Sequence, residues 1–227
     1  MEFNIKRDLL LGGIQKTLGI VEKKTTMPIL SNLLIRTQEN RIKIIATDRE
    51  IGLVADYEAE IIREGDITLS ARKLHEMVRE IRGEMIHVAK DERNMVVLTC
   101  KKEMYRIPGI PADDYPVVAA QEELPMNKIK GSMLREMIRK TAFAMSADEM
   151  RKNLNGVFLE TERLGGNLLV RMVATDGHRL AMMKMDVGEE DFLIMEKGVI
   201  IPRKGLGEIR RLVEEVPGDV FIGSPPK

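Results

Sequence analysis

The chain has 227 residues, 44% hydrophobic and 32% charged, with 36 Lys/Arg against 36 Asp/Glu and a single cysteine, Cys100. This composition excludes a disordered chain, an internal disulfide and a multi-cysteine zinc site, and no apolar run approaches the roughly 18 residues of a spanning helix. A net charge of zero moves the question of nucleic-acid binding from the sum of charges to their distribution.

Phe3-Asn4-Ile5 reads as a short strand, followed by a helix over 6–17 with Leu10, Leu11 and Ile14 on one face. After Pro28 a strand runs to about Thr37, and a second from Arg41 to Ala46. Ile51 to Ala59 and Asp66 to Ser70 read as two more, the latter announced by the turn signal Glu64-Gly65. Leu74, Met77, Val78 and Ile81 give the apolar stripe of a helix over 72–82. Met85 to Ala89 and Met95 to Cys100 form a hairpin about the polar turn Lys90 to Asn94, with Cys100 a small core residue. Tyr105-Arg106-Ile107 then leads into a linker, Pro108-Gly109-Ile110-Pro111. Beyond it, helices over 133–140 and 203–211 carry the stripes Leu134, Met137, Ile138 and Leu206, Ile209, Val213.

The chain is written twice. Leu30-Ser31-Asn32 returns as Leu154-Asn155-Gly156, Ala46-Thr47-Asp48 as Ala174-Thr175-Asp176, and Arg72-Lys73 as Arg203-Lys204, at offsets of 124, 128 and 131. Offsets that grow only in turns are expected of a duplicated domain. The pattern predicts an α+β fold in two copies, 1–120 and 126–227, each with two helices packed on antiparallel strands. Val220-Phe221-Ile222 matches Met85-Ile86-His87, and nothing matches 90–116, so the second copy reads as truncated and the chain as a fragment of a longer protein. With no signal peptide at Met1-Glu2-Phe3-Asn4, a cytoplasmic location is expected.

The four helical segments hold 14 Lys/Arg against 5 Asp/Glu, leaving 22 against 31 elsewhere. Basic helices on an otherwise acidic chain suggest a surface that faces nucleic acid. A solvated helix face is the alternative for any one helix, and recurrence in both copies favours the DNA-facing reading for Arg72, Lys73, Arg79 and Arg82, for Arg135 and Arg139, and for Arg203, Lys204 and Arg210. The copies differ at Gly177-His178-Arg179, which stands where the first has Arg49-Glu50-Ile51. Asp176 and His178 invite a catalytic dyad. No nucleophile motif accompanies them, and neither an enzyme, a metal site nor a cofactor is expected.

The runs Met27-Pro28-Ile29-Leu30-Ser31-Asn32, Pro111-Ala112-Asp113-Asp114-Tyr115-Pro116, Leu154-Asn155-Gly156, Ala174 to Leu180 and Ile201-Pro202-Arg203-Lys204-Gly205 resemble the bacterial DNA polymerase III beta subunit, the replicative sliding clamp. The resemblance implies three like domains per subunit and a head-to-tail homodimeric ring, with helices lining a hole around double-stranded DNA. By it, this chain would supply the first domain and most of the second, without the third. By that resemblance the protein is a processivity factor whose partners are the DNA polymerase III catalytic subunit, the clamp loader and other clamp-motif proteins, with no membrane. Leu154, Thr175, Gly177, His178, Arg179 and Leu180 match part of its hydrophobic client-peptide pocket. Lys23 and Lys24 match a loop that reaches toward DNA, and Lys152 stands where aromatic residues can occur, so it would act there by charge. The first domain's share of ring closure is expected around Leu74, Ile107 and the strand Met95 to Tyr105. A clamp-fold scaffold that does not encircle DNA is the competing reading.

Overall fold

The computed structural model describes residues 1–22, 27–116, 126–187, 198–215 and 218–223. The chain divides into two compact units, Met1–Ala119 and Ala120–Lys227. In the first, β1 (Glu2–Lys6) leads into α1 (Arg7–Thr17), then a 3-10 turn (Pro28–Ser31), β2 (Asn32–Gln38), β3 (Arg41–Thr47), β4 (Gly52–Glu58), β5 (Glu60–Arg63), β6 (Gly65–Ser70), α2 (Ala71–Glu80), β7 (Met85–Lys90), β8 (Met95–Cys100) and β9 (Glu103–Pro108). Two antiparallel sheets result, in the orders β5-β1-β7-β8-β9 and β4-β3-β2-β6. Alternating strand residues such as Ile42 and Ile44, Val96 and Leu98, turn inward against Leu10, Ile14, Leu74 and Val78 of the two helices, forming one core. Gly13 lets α1 approach the sheet closely: a Cβ there would lie 2.7 Å from both Ile44 Cδ1 and Tyr57 Cε2.

The second unit runs β10 (Met126–Lys130), α3 (Gly131–Thr141), a 3-10 turn (Ala142–Ala144), β11 (Gly156–Leu164), β12 (Asn167–Thr175), β13 (Leu180–Asp186), β14 (Val199–Pro202), α4 (Arg203–Glu215) and β15 (Asp219–Gly223). Its described strands form the sheet β13-β12-β11-β14 and the pair β10-β15, and its core gathers Leu134, Met137, Ile138, Met172 and Leu206. The fold is thus α+β, and the described elements of the second unit follow the order of the first without counterparts of β5, β8 and β9. Among the described residues no helix is long and apolar enough to cross a membrane.

Four details depart from the sequence reading. The strand expected from Ile51 to Ala59 is β4, but a further strand follows it unannounced: Ala59 separates β4, paired to β3, from β5, which crosses to the other sheet and pairs with β1. The break is anchored by the Ala59 amide donating to Asn40 O at 3.1 Å, a tertiary contact that alternation cannot announce. Pro108 to Pro111 is no free linker, because Ile110 exchanges both backbone hydrogen bonds with Thr68 at the outer edge of β6. Buried Tyr115 follows, its hydroxyl 3.1 Å from Asn32 O, and burial pushes that phenol up to about 12.

The third departure is a slip of register. Asn32 pairs with Ser70 and its counterpart Gly156 with Pro202, so Ala71 corresponds to Arg203 and Arg72-Lys73 to Lys204-Gly205. Exposed first-turn residues constrain register little; the stripe does, since Leu74 and Leu206 are equally buried. Last, Leu74 and Ile107 belong to the first unit's own core, and the outward side chains of β9 are Met104, Arg106 and Pro108.

Candidate functional site

The basic residues assigned to the helices fall into two groups. Arg72 and Lys73 stand exposed in the first turn of α2, and Arg203 and Lys204 open α4; neither first turn holds an acidic residue. Cations there oppose the helix macrodipole at a cost of about 0.3–1 kcal/mol each, so helix stability does not explain their placement. Arg79, Arg139 and Arg210 are exposed and sit 3.3–3.5 Å from Glu80, Glu136 and Glu214, surface pairs that restrain them weakly. Arg82 is exposed just beyond α2 and Lys152 in the turn before Leu154.

Two of the predicted arginines are drawn into structure. Arg135 Nη2 donates to Val213 O at 3.2 Å, tying α3 to the last turns of α4. Arg203 Nη2 donates to Met145 O at 2.9 Å and Ser146 O at 3.2 Å, pinning the segment after the 3-10 turn. Lys23 and Lys24 lie outside the described residues.

The predicted pocket residues converge on the turn joining β12 to β13. Thr175 Oγ1 donates to Arg179 O at 2.7 Å and accepts from the Gly177 amide at 3.1 Å. Asp176 Oδ1 accepts from the His178 and Arg179 amides, both at 3.0 Å, and Oδ2 from Arg179 Nε at 3.0 Å. The carboxylate therefore serves the turn rather than the imidazole. Gly177 adopts φ +92°, and a Cβ on it would meet only Arg151 Nη1, at 3.8 Å. Arg151 thereby brings the Leu154 segment beside the turn, its carbonyl accepting from the Leu154 amide at 2.8 Å. Leu154 is half-buried, while Leu180 is 64% and Met182 53% exposed on alternate positions of β13. Phe143 is 60% exposed, its ring centroid 5.7 Å from Arg179 Cζ. Exposed apolar side chains beside aimed donors suit a peptide's mixture of greasy and carbonyl groups.

The first unit builds the same turn. Thr47 Oγ1 donates to Ile51 O at 2.8 Å and accepts from Arg49 N at 3.0 Å, and Asp48 Oδ1 accepts from the Glu50 and Ile51 amides at 2.9 and 2.8 Å. Arg49 takes φ +78° where Gly177 takes +92°. The copies differ here in side chains and not in backbone. Arg151, Phe143 and Asp176 were missed as members of the site. Asp176 alone left a signal, in the Thr-Asp pair common to both turns.

The amides of His178 and Arg179, with smaller help from the Arg179 side chain, hold the Asp176 carboxyl at about 2, below the ordinary 3.8. A depressed carboxylate contributes order that is complete above its ordinary value and lost as pH falls toward 2. The Asp176 carboxyl carbon shift is expected to stay constant from neutrality to about pH 4 and to titrate below it. A midpoint near the ordinary value in an NMR titration would contradict the bonding scheme.

Residues 1–119 match the N-terminal domain and residues 128–224 the central domain of the DNA polymerase III beta subunit. The beta sliding clamp of Pseudomonas aeruginosa is 36% identical over 228 residues, 98% of this chain and 59% of that protein. The solved beta sliding clamp of Caulobacter crescentus superposes with a TM-score of 0.92 at 33% identity, over 100% of this chain and 60% of that one. The Pseudomonas aeruginosa sliding clamp solved bound to griselimycin gives 0.85 at 33%, over 98% and 59%. The chain thus spans about three fifths of the length of these relatives. It belongs to the DNA polymerase III beta subunit family.

Proposed function

We propose that this chain supplies DNA-facing helices and part of a client-binding site to a sliding clamp, a processivity factor without catalytic chemistry of its own. The observation that carries the reading is the exposed cations Arg72 and Lys73 in the first turn of α2 and Lys204 in that of α4, within a chain that superposes on sliding clamps over its whole length. Cations set at helix N-termini attract phosphate through charge and dipole together and read no base, which suits a ring that must slide. The partner surface for ring closure and the remaining walls of the peptide site are assigned to the parts of the relatives that this chain does not match.

The test is retention on nicked circular DNA by the protein as its gene encodes it, including any sequence beyond Lys227, after loading. Retention on the circle with release on linearisation is the expected outcome. A loaded protein that is not retained, or that stays on linear DNA, points instead to a scaffold that does not encircle DNA. We assign client binding to the Thr175–Leu180 turn with Leu154. Griselimycin, bound to the relative from Pseudomonas aeruginosa, is the probe for it.

A further inference from the structure

We propose that Phe143 is a positioning residue of this client site: it fixes the Arg179 guanidinium so that the outer edge of that group meets an oxygen acceptor on the bound peptide. The proposal rests on the reading of the Thr175–Leu180 turn as a peptide site. Arg179 is held from two directions. Its Nε donates to Asp176 Oδ2 at 3.0 Å, and its Cζ lies 5.7 Å from the Phe143 ring centroid, within range of a cation–π contact. Its Nη1 and Nη2 have no hydrogen bond to another described residue, so the paired donors remain for a ligand. A guanidinium fork presented that way matches a carboxylate or a backbone carbonyl.

The segment that carries Phe143 is anchored. The neighbours Ala144 and Met145 are buried while Phe143 is 60% exposed, so the segment turns this one ring outward. The backbone on either side is anchored: Thr141 Oγ1 donates to Met137 O at 2.8 Å, Arg203 Nη2 to Met145 O at 2.9 Å, and the Ser146 amide to Leu154 O at 2.9 Å. The Arg203 bonds thus act on the site at one remove, by pinning the strand of chain that carries the ring. An exposed phenylalanine gains little from burial; its use here is the face it offers to a cation.

The experiment uses the gene-encoded protein, with griselimycin titration and side-chain NMR of the Arg179 Nε–H group. Phe143→Leu keeps apolar bulk and loses the aromatic face; Phe143→Trp keeps the face. Phe143→Leu is expected to weaken griselimycin about two- to fivefold and to mobilise Nε, and Phe143→Trp to restore both, with the unfolding midpoint unchanged in each. In an Arg179→Met background the Phe143→Leu change should cost nothing further. An Nε–H group as ordered in Phe143→Leu as in wild type overturns the proposal, as does an equal loss of affinity in the Arg179→Met background. Failure of the wild-type protein to bind griselimycin, or indifference to Leu180→Ala, sinks the peptide-site reading instead, and the Nε order still decides whether Phe143 positions Arg179.

Discussion

Ile44→Ala is expected to remove about 2–5 kcal/mol of unfolding free energy from the first unit. Ile44 is fully buried in β3, and its Cδ1 occupies the space that Gly13 leaves open beneath α1, so truncation leaves a void between sheet and helix. The chain has no tryptophan and its three tyrosines, Tyr57, Tyr105 and Tyr115, all lie within Met1–Ala119. Tyrosine emission therefore follows the first unit alone, while circular dichroism follows both. Met172→Ala, fully buried at the equivalent position of β12, should shift the dichroism transition and spare the emission transition. A loss below about 1 kcal/mol for Ile44→Ala would mean that α1 settles onto the sheet and closes the void.

The triple change Arg72→Ala, Lys73→Ala, Lys204→Ala is expected to weaken binding to duplex DNA by at least about tenfold at low salt. Each lost phosphate contact should also flatten the dependence of log K on log salt by about 0.9, a total of about 2.7. Fluorescence anisotropy on a short duplex across a salt series measures both. Arg135→Ala and Arg203→Ala provide the contrast. Their guanidiniums are bonded to Val213 O and to Met145 and Ser146 O, so their loss should appear as lowered stability of the second unit with little change in salt slope. A triple variant with unchanged slope would place the DNA-facing surface elsewhere.

Periodicity exposed the helices because burial imposes it: Leu74 and Val78, Leu134 and Ile138 face cores whatever surrounds them. The Thr-Asp motif of both turns was visible because its hydrogen bonds need those side chains, whereas Leu180 entered only through the resemblance of the run Ala174 to Leu180. What escaped depends on contacts distant in sequence. The division of β4 from β5 rests on Asn40 meeting Ala59, and the one-residue slip of α4 on strand pairing. The positive φ of Arg49 was hidden because a left-handed arginine is not suggested by its type. Phe143 and Arg151 were passed over for a similar reason: each looked like an ordinary residue of its own segment, and only folding sets them against Arg179 and Gly177.

The shared skeleton of the two turns also makes the chemistry portable. Thr47 and Asp48 already hold the backbone that Thr175 and Asp176 hold, so a graft of Arg49→Gly, Glu50→His and Ile51→Arg would change the functional groups on display without asking the loop to move. Only the last exchange draws on the interior, since Ile51 packs against the first unit's core. A duplicated chain of this kind keeps in its first half a second turn of the same backbone, one that lacks the apolar wall because Gly52 stands where Leu180 does.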